Sequence, residues 1–446
     1  MSFRSMCLAA ALIVACGGSG SPPGDGDARD VDGAAGDTGT DPDGGPPQDG
    51  GGPDGGTVTT GQWVLGYYVS YQRDQYPIAD IDWTALTHIA FSPLSVGGGP
   101  GYAFDLTFSG AFGSATEGRT FARDLATAAR AHGVTPLLML GGAGLSDNVR
   151  PAIDADLAGF VTRTLALLDE LGYAGVDLDV EASNFATADF IRLAAALRAA
   201  RPSIVLTLPG GGVEVGTDPD PRIAELAGYL DRYFIQSYFG GSHGLFTGPD
   251  FRGMLFESWF GAALDGETDL RPFSIEYSLR RLNQAGIPKA KLGMGVAFYA
   301  DCYLAATTPP GGQPVTGPRQ PAYAASSYCW GCNIGGGDNA YPLSRLFAAG
   351  GRWAQASTAE RHFDAEAASS YLSLGTAAND AACGGSTRFI GFEDEQSLVA
   401  KGTWSRANGY GGVIIWTIQQ GWLPANAAGG RARNALMAAL RQGFLL

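Results

Sequence analysis

Residues 175–181 read Gly-Val-Asp-Leu-Asp-Val-Glu, an unbroken alternation of apolar and acidic side chains after the opening glycine. On an extended strand successive side chains point to opposite faces, so Val176, Leu178 and Val180 share one face and Asp177, Asp179 and Glu181 the other. Carboxylates at that spacing repel one another, and partial desolvation makes it costly to ionise all of them near neutral pH. At least one is expected to hold a proton. Glu181, the last of the run, is the natural general acid, and Asp179, two residues deeper, is able to share its proton. The competing readings are a solvent-facing acidic strand and a structural cation site. The run passes directly into loop and its neighbouring strands are apolar, which disfavours the first; a metal would need ligands from strands that offer few, which disfavours the second. No metal and no cofactor is expected.

An acid at a strand end needs a scaffold that gathers strand ends, and the flanking sequence supplies one. Short apolar, β-branched runs stand at 64–69, 87–93, 135–140, 175–181, 204–209, 233–239, 291–298 and 412–417. Most are followed by a helical period, as at 156–171, 186–200, 222–231 and 396–408. Alternating β and α units with eight strands predict an α/β fold, the closed (β/α)8 TIM barrel, whose active sites form at the C-terminal ends of the strands. An open doubly wound sheet alternates similarly, but no Gly-rich phosphate loop follows the first strand. The stretch from about 300 to 388 is too long for a simple return and is read as a small inserted subdomain between strands seven and eight, with short ordered elements at 341–348 and 363–374. It holds Cys302, Cys329, Cys332 and Cys383, which an exported location would pair as disulfides in one of three connectivities. A zinc site on Cys329-x-x-Cys332 is the weaker alternative, because a second close pair is lacking and the chain has only four His.

The N-terminal segment is read separately from the barrel. Arg4 precedes an apolar run at 8–15 that is too short to span a bilayer, the pattern of an export signal. Its end, Leu12-Ile13-Val14-Ala15-Cys16, resembles a bacterial lipobox, which makes 1–16 a lipoprotein signal peptide and Cys16 the lipidated residue. An ordinary signal peptide with an incidental cysteine is the alternative. Residues 17–61 are nearly all Gly, Pro, Asp, Ser and Thr and cannot bury enough apolar surface to order, so they form a tether. With nine Asp against one Arg, this segment carries about half of the net charge of -15 and leaves the domain at 62–446 only mildly acidic. The run 25–32 is only a faint match to a calcium loop, lacking the closing Glu and flanking helices of an EF-hand. The expected partners are thus a membrane, through the lipid anchor, and a substrate. No basic cluster suggests nucleic acid, and the barrel is expected to act as a monomer, exported and anchored to the bacterial cell envelope on its periplasmic or outer face.

Ala174-Gly175-Val176-Asp177-Leu178-Asp179-Val180-Glu181 resembles the DGxDxDxE signature of glycoside hydrolase family 18, the chitinase-like enzymes. Gly66-Tyr67-Tyr68 is similar to that family's first strand, 86–91 to its second, 138–142 to its third and 291–299 to its seventh. Residues 389–416 are similar to its last helix and strand. The resemblance therefore covers nearly all of 63–420 in order. It implies retaining, substrate-assisted hydrolysis of β-1,4-linked N-acetylglucosamine in chitin or its oligomers, the nucleophile being the sugar's own acetamido oxygen. It further implies that Glu181 is the acid and then the base, that Asp179 orients the acetamide, that Asp177 tunes Asp179, and that Tyr238 bonds the acetamido oxygen. Trp416 would form the floor beneath the sugar with Tyr67 and Phe91 beside it, Gln236 and Gly142 completing the substrate contacts. The chain departs from the family pattern at four positions. Ala174 stands for the leading Asp, Met139 for a Ser, Val180 for a Trp, and Phe239 for the Asp of strand six. Other N-acetylglucosamine polymers, namely N-glycan cores and peptidoglycan, and a weakly catalytic chitin-binding protein are the alternatives; three intact acids speak against the last.

Overall fold

A computed structural model describes residues 61–99, 101–213, 218–238, 275–304, 341–365, 367–378 and 387–446, with the backbone alone at 301–304, 376–378 and 387. The leader, the tether, Cys16, Cys329, Cys332, Cys383 and Phe239 lie outside the described residues, and Cys302 is described by its backbone only.

Eight parallel strands close into a barrel. They are β1 (Trp63–Val69), β2 (His88–Leu94), β3 (Thr135–Leu140), β4 (Gly175–Asp177), β5 (Val205–Gly210), β6 (Arg232–Ile235), β7 (Leu292–Ala297) and, after the insertion, β13 (Gly412–Trp416). The ring closes where β13 sits between β7 and β1, with Trp63 opposite Gly412 and Trp416 opposite Ala297. This is the (β/α)8 barrel expected from the alternation of elements.

The helices outside the barrel follow local signals. Helix α1 (Ala115–Ala131) starts at Ser114, whose hydroxyl accepts the Glu117 N–H. No element is expected there from sequence, because its buried face is mostly Ala and Gly and gives little contrast with the rest. Helix α2 (Val149–Leu171) is interrupted at Asp156, whose carboxylate accepts the Gly159 N–H, so the helical period that begins at 156 in the sequence starts at a genuine cap. Helices α3 (Thr187–Ala200), α4 (Ile223–Tyr229) and α5 (Ile275–Gln284) follow β4, β5 and β6. Among the described residues, no helix is long and apolar enough to cross a membrane.

Between β7 and β13 a five-stranded sheet is inserted, with strand order β10-β11-β12-β8-β9. Its strands are β8 (Tyr299–Leu304), β9 (Tyr341–Pro342), β10 (Arg361–Asp364), β11 (Ser369–Ala378) and β12 (Thr387–Phe392). The sheet thus reaches past residue 388 into a segment whose alternation alone does not separate it from the barrel. A buried ion pair joins Lys401, on the helix Glu395–Ala407, to Glu393 just after β12, and Lys401 also donates to the Ser369 hydroxyl of β11. Breaking such a pair by removing one partner typically costs about 3–5 kcal/mol, so this contact fixes the insertion to the barrel wall.

Candidate active site

The barrel interior is built on the period of two. Trp63, Leu65 and Tyr67 from β1, Ala90 from β2, Leu137 and Met139 from β3, Phe234 from β6, Ala297 from β7 and Ile414 from β13 form one buried cluster, with Trp416 packed against it. The opposite faces of the same strands, including Val176, Leu178 and Val180, join the larger core beneath the helices. Asp177 is 0% exposed, Asp179 is 3% exposed and Glu181 is half-buried at the rim. The three acids therefore climb one side of the barrel toward its mouth, with their apolar neighbours facing out, as the alternation requires.

The ladder of β4 ends at Asp177, two turns of the pleat earlier than the acidic run, yet 178–181 keep the strand's alternation. Other bonds replace the ladder. Leu178 N–H still donates to the Thr207 carbonyl at 2.8 Å, and the Asp179 carbonyl accepts the Gly142 N–H at 2.6 Å. Glu181 N–H donates to the Ser146 hydroxyl at 2.9 Å, and that hydroxyl in turn donates to the Gly142 carbonyl at 2.9 Å. The turn after β3 thus grips the acidic run by its backbone. It runs through Gly141 and Gly142 at φ +99° and +100°, where a side chain is strained. A Cβ on Gly141 would also strike the Asp179 carbonyl at 2.4 Å.

The carboxyl groups are linked by short contacts. Tyr67 Oη donates to Asp177 Oδ2 at 2.7 Å and Thr207 Oγ1 donates to Asp177 Oδ1 at 2.5 Å. The Gln236 amide donates to Asp179 Oδ1 at 3.2 Å and reaches Glu181 Oε1 at 3.4 Å. Asp179 and Glu181 are thus joined through the one Gln236 amide. Burial pushes the Asp177 carboxyl up to about 6 although the Thr207 and Tyr67 donors pull it down. Burial, then the charges of Glu181 and Asp177, hold the Asp179 carboxyl well above the usual carboxylate range. Burial also raises Glu181. One proton is therefore retained by the Asp179–Glu181 pair at pH values where an exposed carboxylate has lost it. Burial raises the Tyr67 phenol as well, which keeps it a donor.

Aromatic residues surround these acids. The Tyr67 and Trp416 rings lie 5.2 Å apart and tilted by 57°. Tyr238, from the turn after β6, is 3% exposed and belongs to the inner cluster. Its ring fills the space that a Cβ on Gly295 of β7 would need, at 2.8 Å. Tyr299, at the start of the insertion, donates to the Tyr238 carbonyl at 3.2 Å.

Of the candidates named from sequence, Asp177, Asp179, Glu181, Tyr238, Gln236, Tyr67, Trp416 and Gly142 are brought to one end of the barrel. Phe91 is not. It is 0% exposed and its ring lies 4.5 Å from that of Phe108, tilted by 52°, in the outer core, because its neighbour Ala90 takes the inward position on β2. The expectation that it flanks a ligand is corrected by the strand's parity. Ser146 and Thr207 went unnoticed in the sequence: a lone Ser in a turn and a lone Thr in an apolar strand carry no signal until the partners across the barrel are known. Two departures from the family pattern also find their place. Ala174 lies exposed at the far, N-terminal end of β4, and Val180 faces the outer core, so neither touches the acids.

The family model described as Glycosyl hydrolases family 18 matches residues 63–421, the whole barrel with its insertion. No curated protein sequence matches the chain closely enough to be a relative. Solved structures agree in fold at low identity. A chitinase from Bacillus thuringiensis has a TM-score of 0.64 at 17% identity, covering 86% of this chain and 70% of that one. The Group IV chitinase of Ostrinia furnacalis has 0.64 at 17%, covering 86% and 100%. A Cycas revoluta chitinase solved with (GlcNAc)3 has 0.59 at 20%, covering 86% and 100%. With its closed barrel and its matched length, the chain belongs to glycosyl hydrolase family 18 and is a glycoside hydrolase.

Proposed function

We propose that the enzyme hydrolyses β-1,4 linkages between N-acetylglucosamine units of chitin or its oligomers, with retention of anomeric configuration and with Glu181 as acid and base. The observation that carries this reading is that, of the eight barrel strands, only β4 contributes an acid. Asp179 and Glu181 touch the same Gln236 amide and so occupy the same side of the mouth. The two-carboxylate schemes need a second carboxylate across the sugar from the acid. Here the substrate's own acetamido oxygen takes that part.

The chemistry then follows from the protonation of the pair. Glu181 delivers its proton to the glycosidic oxygen as the C1–O bond breaks, and the acetamido oxygen bonds to C1. Asp179, relieved of the shared proton, accepts the acetamide N–H and stabilises the positive charge of the cyclic intermediate. Water then attacks C1, losing its proton to Glu181, and the ring opens with a second inversion. Tyr238 donates to the acetamido oxygen, while Trp416 and Tyr67 offer the apolar faces on which the sugar's axial C–H bonds rest. The full-length chain should release a β-anomer from N-acetylchitooligosaccharides when the products are read by NMR within the first turnovers. An α-anomer would remove the substrate-assisted reading. Cleavage of peptidoglycan or of N-glycan cores in place of chitin oligomers would move the enzyme to another N-acetylglucosamine polymer.

The reading also includes location. The apolar leader and Cys16 support export followed by lipid attachment, with 17–61 as the tether between membrane and barrel. Labelled palmitate should enter the wild-type chain in cells and not the Cys16→Ser variant; equal labelling of both removes the anchor.

A further inference from the structure

We propose that Thr207 is a positioning residue for this reaction, holding Asp177 as an anion from β5 in a site where the flanking residue of β3 has no proton to give. The inference deepens the reading above and rests on Glu181 being the acid. Its observations are geometric. In the barrel register Asp177 stands between Met139 of β3 and Thr207 of β5. Both are buried, Met139 at 1% and Thr207 at 0% exposure. Asp177 has no access to solvent and depends on protein donors. Tyr67 serves Oδ2 and Thr207 serves Oδ1. A thioether cannot donate, so Met139 supplies bulk alone.

At position 139 the family pattern has a serine, a small donor, and this chain has a large side chain without one. In this chain the hydroxyl on Asp177 Oδ1 comes from β5, and β3 supplies bulk. With Tyr67 and Thr207, Asp177 has two donors, which favour its charged form. That charge lies next to Asp179, where it holds the shared proton on the Asp179–Glu181 pair. Without the Thr207 donor, Asp177 would take up a proton at higher pH and cease to hold the proton of the pair. Glu181 would then start each cycle in the wrong protonation state. The residue acts only through Asp177, so substrate affinity should hardly change.

The test uses the full-length chain with Thr207→Val, Thr207→Ser and the double variant Met139→Ser/Thr207→Val, assayed on N-acetylchitooligosaccharides from pH 4 to 9. Loss of a charge-assisted hydrogen bond predicts a fall in kcat of about 10- to 100-fold for Thr207→Val, with KM within about threefold. The acid limb of kcat/KM should move up by roughly one pH unit. Thr207→Ser should restore both, and Ser at 139 should restore much of the activity lost in Thr207→Val by returning a donor to the other flank. Wild-type kcat and pH profile in Thr207→Val would overturn the proposal, as would a Thr207→Ser variant impaired as much as the valine. If Thr207→Val does not fold, Thr207→Ala against Met139→Ser/Thr207→Ala makes the same comparison, and failure of the serine to rescue overturns the proposal. Infrared titration of 13C-labelled aspartate, with the Asp177 band identified by its loss in Asp177→Asn, reads the carboxyl without turnover. A band that titrates higher in Thr207→Val supports the inference even where chitin oligomers prove to be the wrong substrate, and an unmoved band overturns it.

Discussion

Glu181→Gln should lower kcat on N-acetylchitooligosaccharides by about 10³-fold, within the range removed with a general acid–base group, and leave the oligomers bound. The amide matches the carboxyl in shape and accepts and donates hydrogen bonds, so the contact with Gln236 at the rim survives. What it cannot do is release a proton to the leaving oxygen or take one from water, and both steps of the proposed cycle need that transfer. The Glu181 backbone is fixed separately through Ser146, so the substitution should not loosen the strand end. Single-turnover rates beside calorimetric binding of the oligomer separate the two quantities. A variant that binds normally and still cleaves within about tenfold of the wild-type rate would show that another group supplies the proton.

Asp179→Asn should be the next most damaging change, lowering kcat by about 10²-fold, and it carries a second signature in stability. In the proposed cycle Asp179, as a carboxylate, accepts the acetamide N–H and offsets the charge that develops on the cyclic intermediate; an amide gives the first at best and not the second. The stability effect follows from burial. The folded-state carboxyl is raised well above its ordinary value by desolvation and by its acidic neighbours. Between the unfolded and folded values the native state therefore binds a proton that the unfolded chain has lost. Native stability falls as pH rises through that window, and the full penalty remains above it. Asn has no such charge to bury. The variant should gain melting temperature over the wild type at pH 8 and much less at pH 4. A difference that does not change with pH would mean that Asp179 is no more costly to ionise in the folded protein than in the unfolded chain.

How much of this was legible beforehand depends on the range over which each feature is decided. The alternation at 175–181 survives in the structure although the β4 ladder ends at Asp177, because the pleat is a property of the local backbone and the loop after β3 takes over its hydrogen bonds. Gln236 and Tyr238 came from the family resemblance alone; the physical reason for their place is the inward parity of β6, which Phe234 sets and they continue. Phe91 failed for the same reason that these succeeded. Its aromatic ring suggests a sugar platform, but parity on β2 is set by which neighbour fits inside a narrow barrel, and the small Ala90 does. Helix α1 was lost because a face of Ala and Gly packs closely against a sheet without marking a hydrophobic period.

The sequence by itself determined the succession of the strands and the side of β4 on which the acids stand, for these rest on periodicity within each segment, and it carried the family resemblance through motifs that agree in order along the chain. Only the tertiary structure decided which donors satisfy Asp177, that Ser146 anchors the acid's backbone, and that Met139 and Thr207 flank Asp177 from either side of β4. Those contacts join residues 30 to 110 positions apart. A hydroxyl, an amide or a thioether acquires its role in a buried site from what the closed barrel sets opposite it, because with water excluded each carboxylate must find its hydrogen bonds among the side chains within reach.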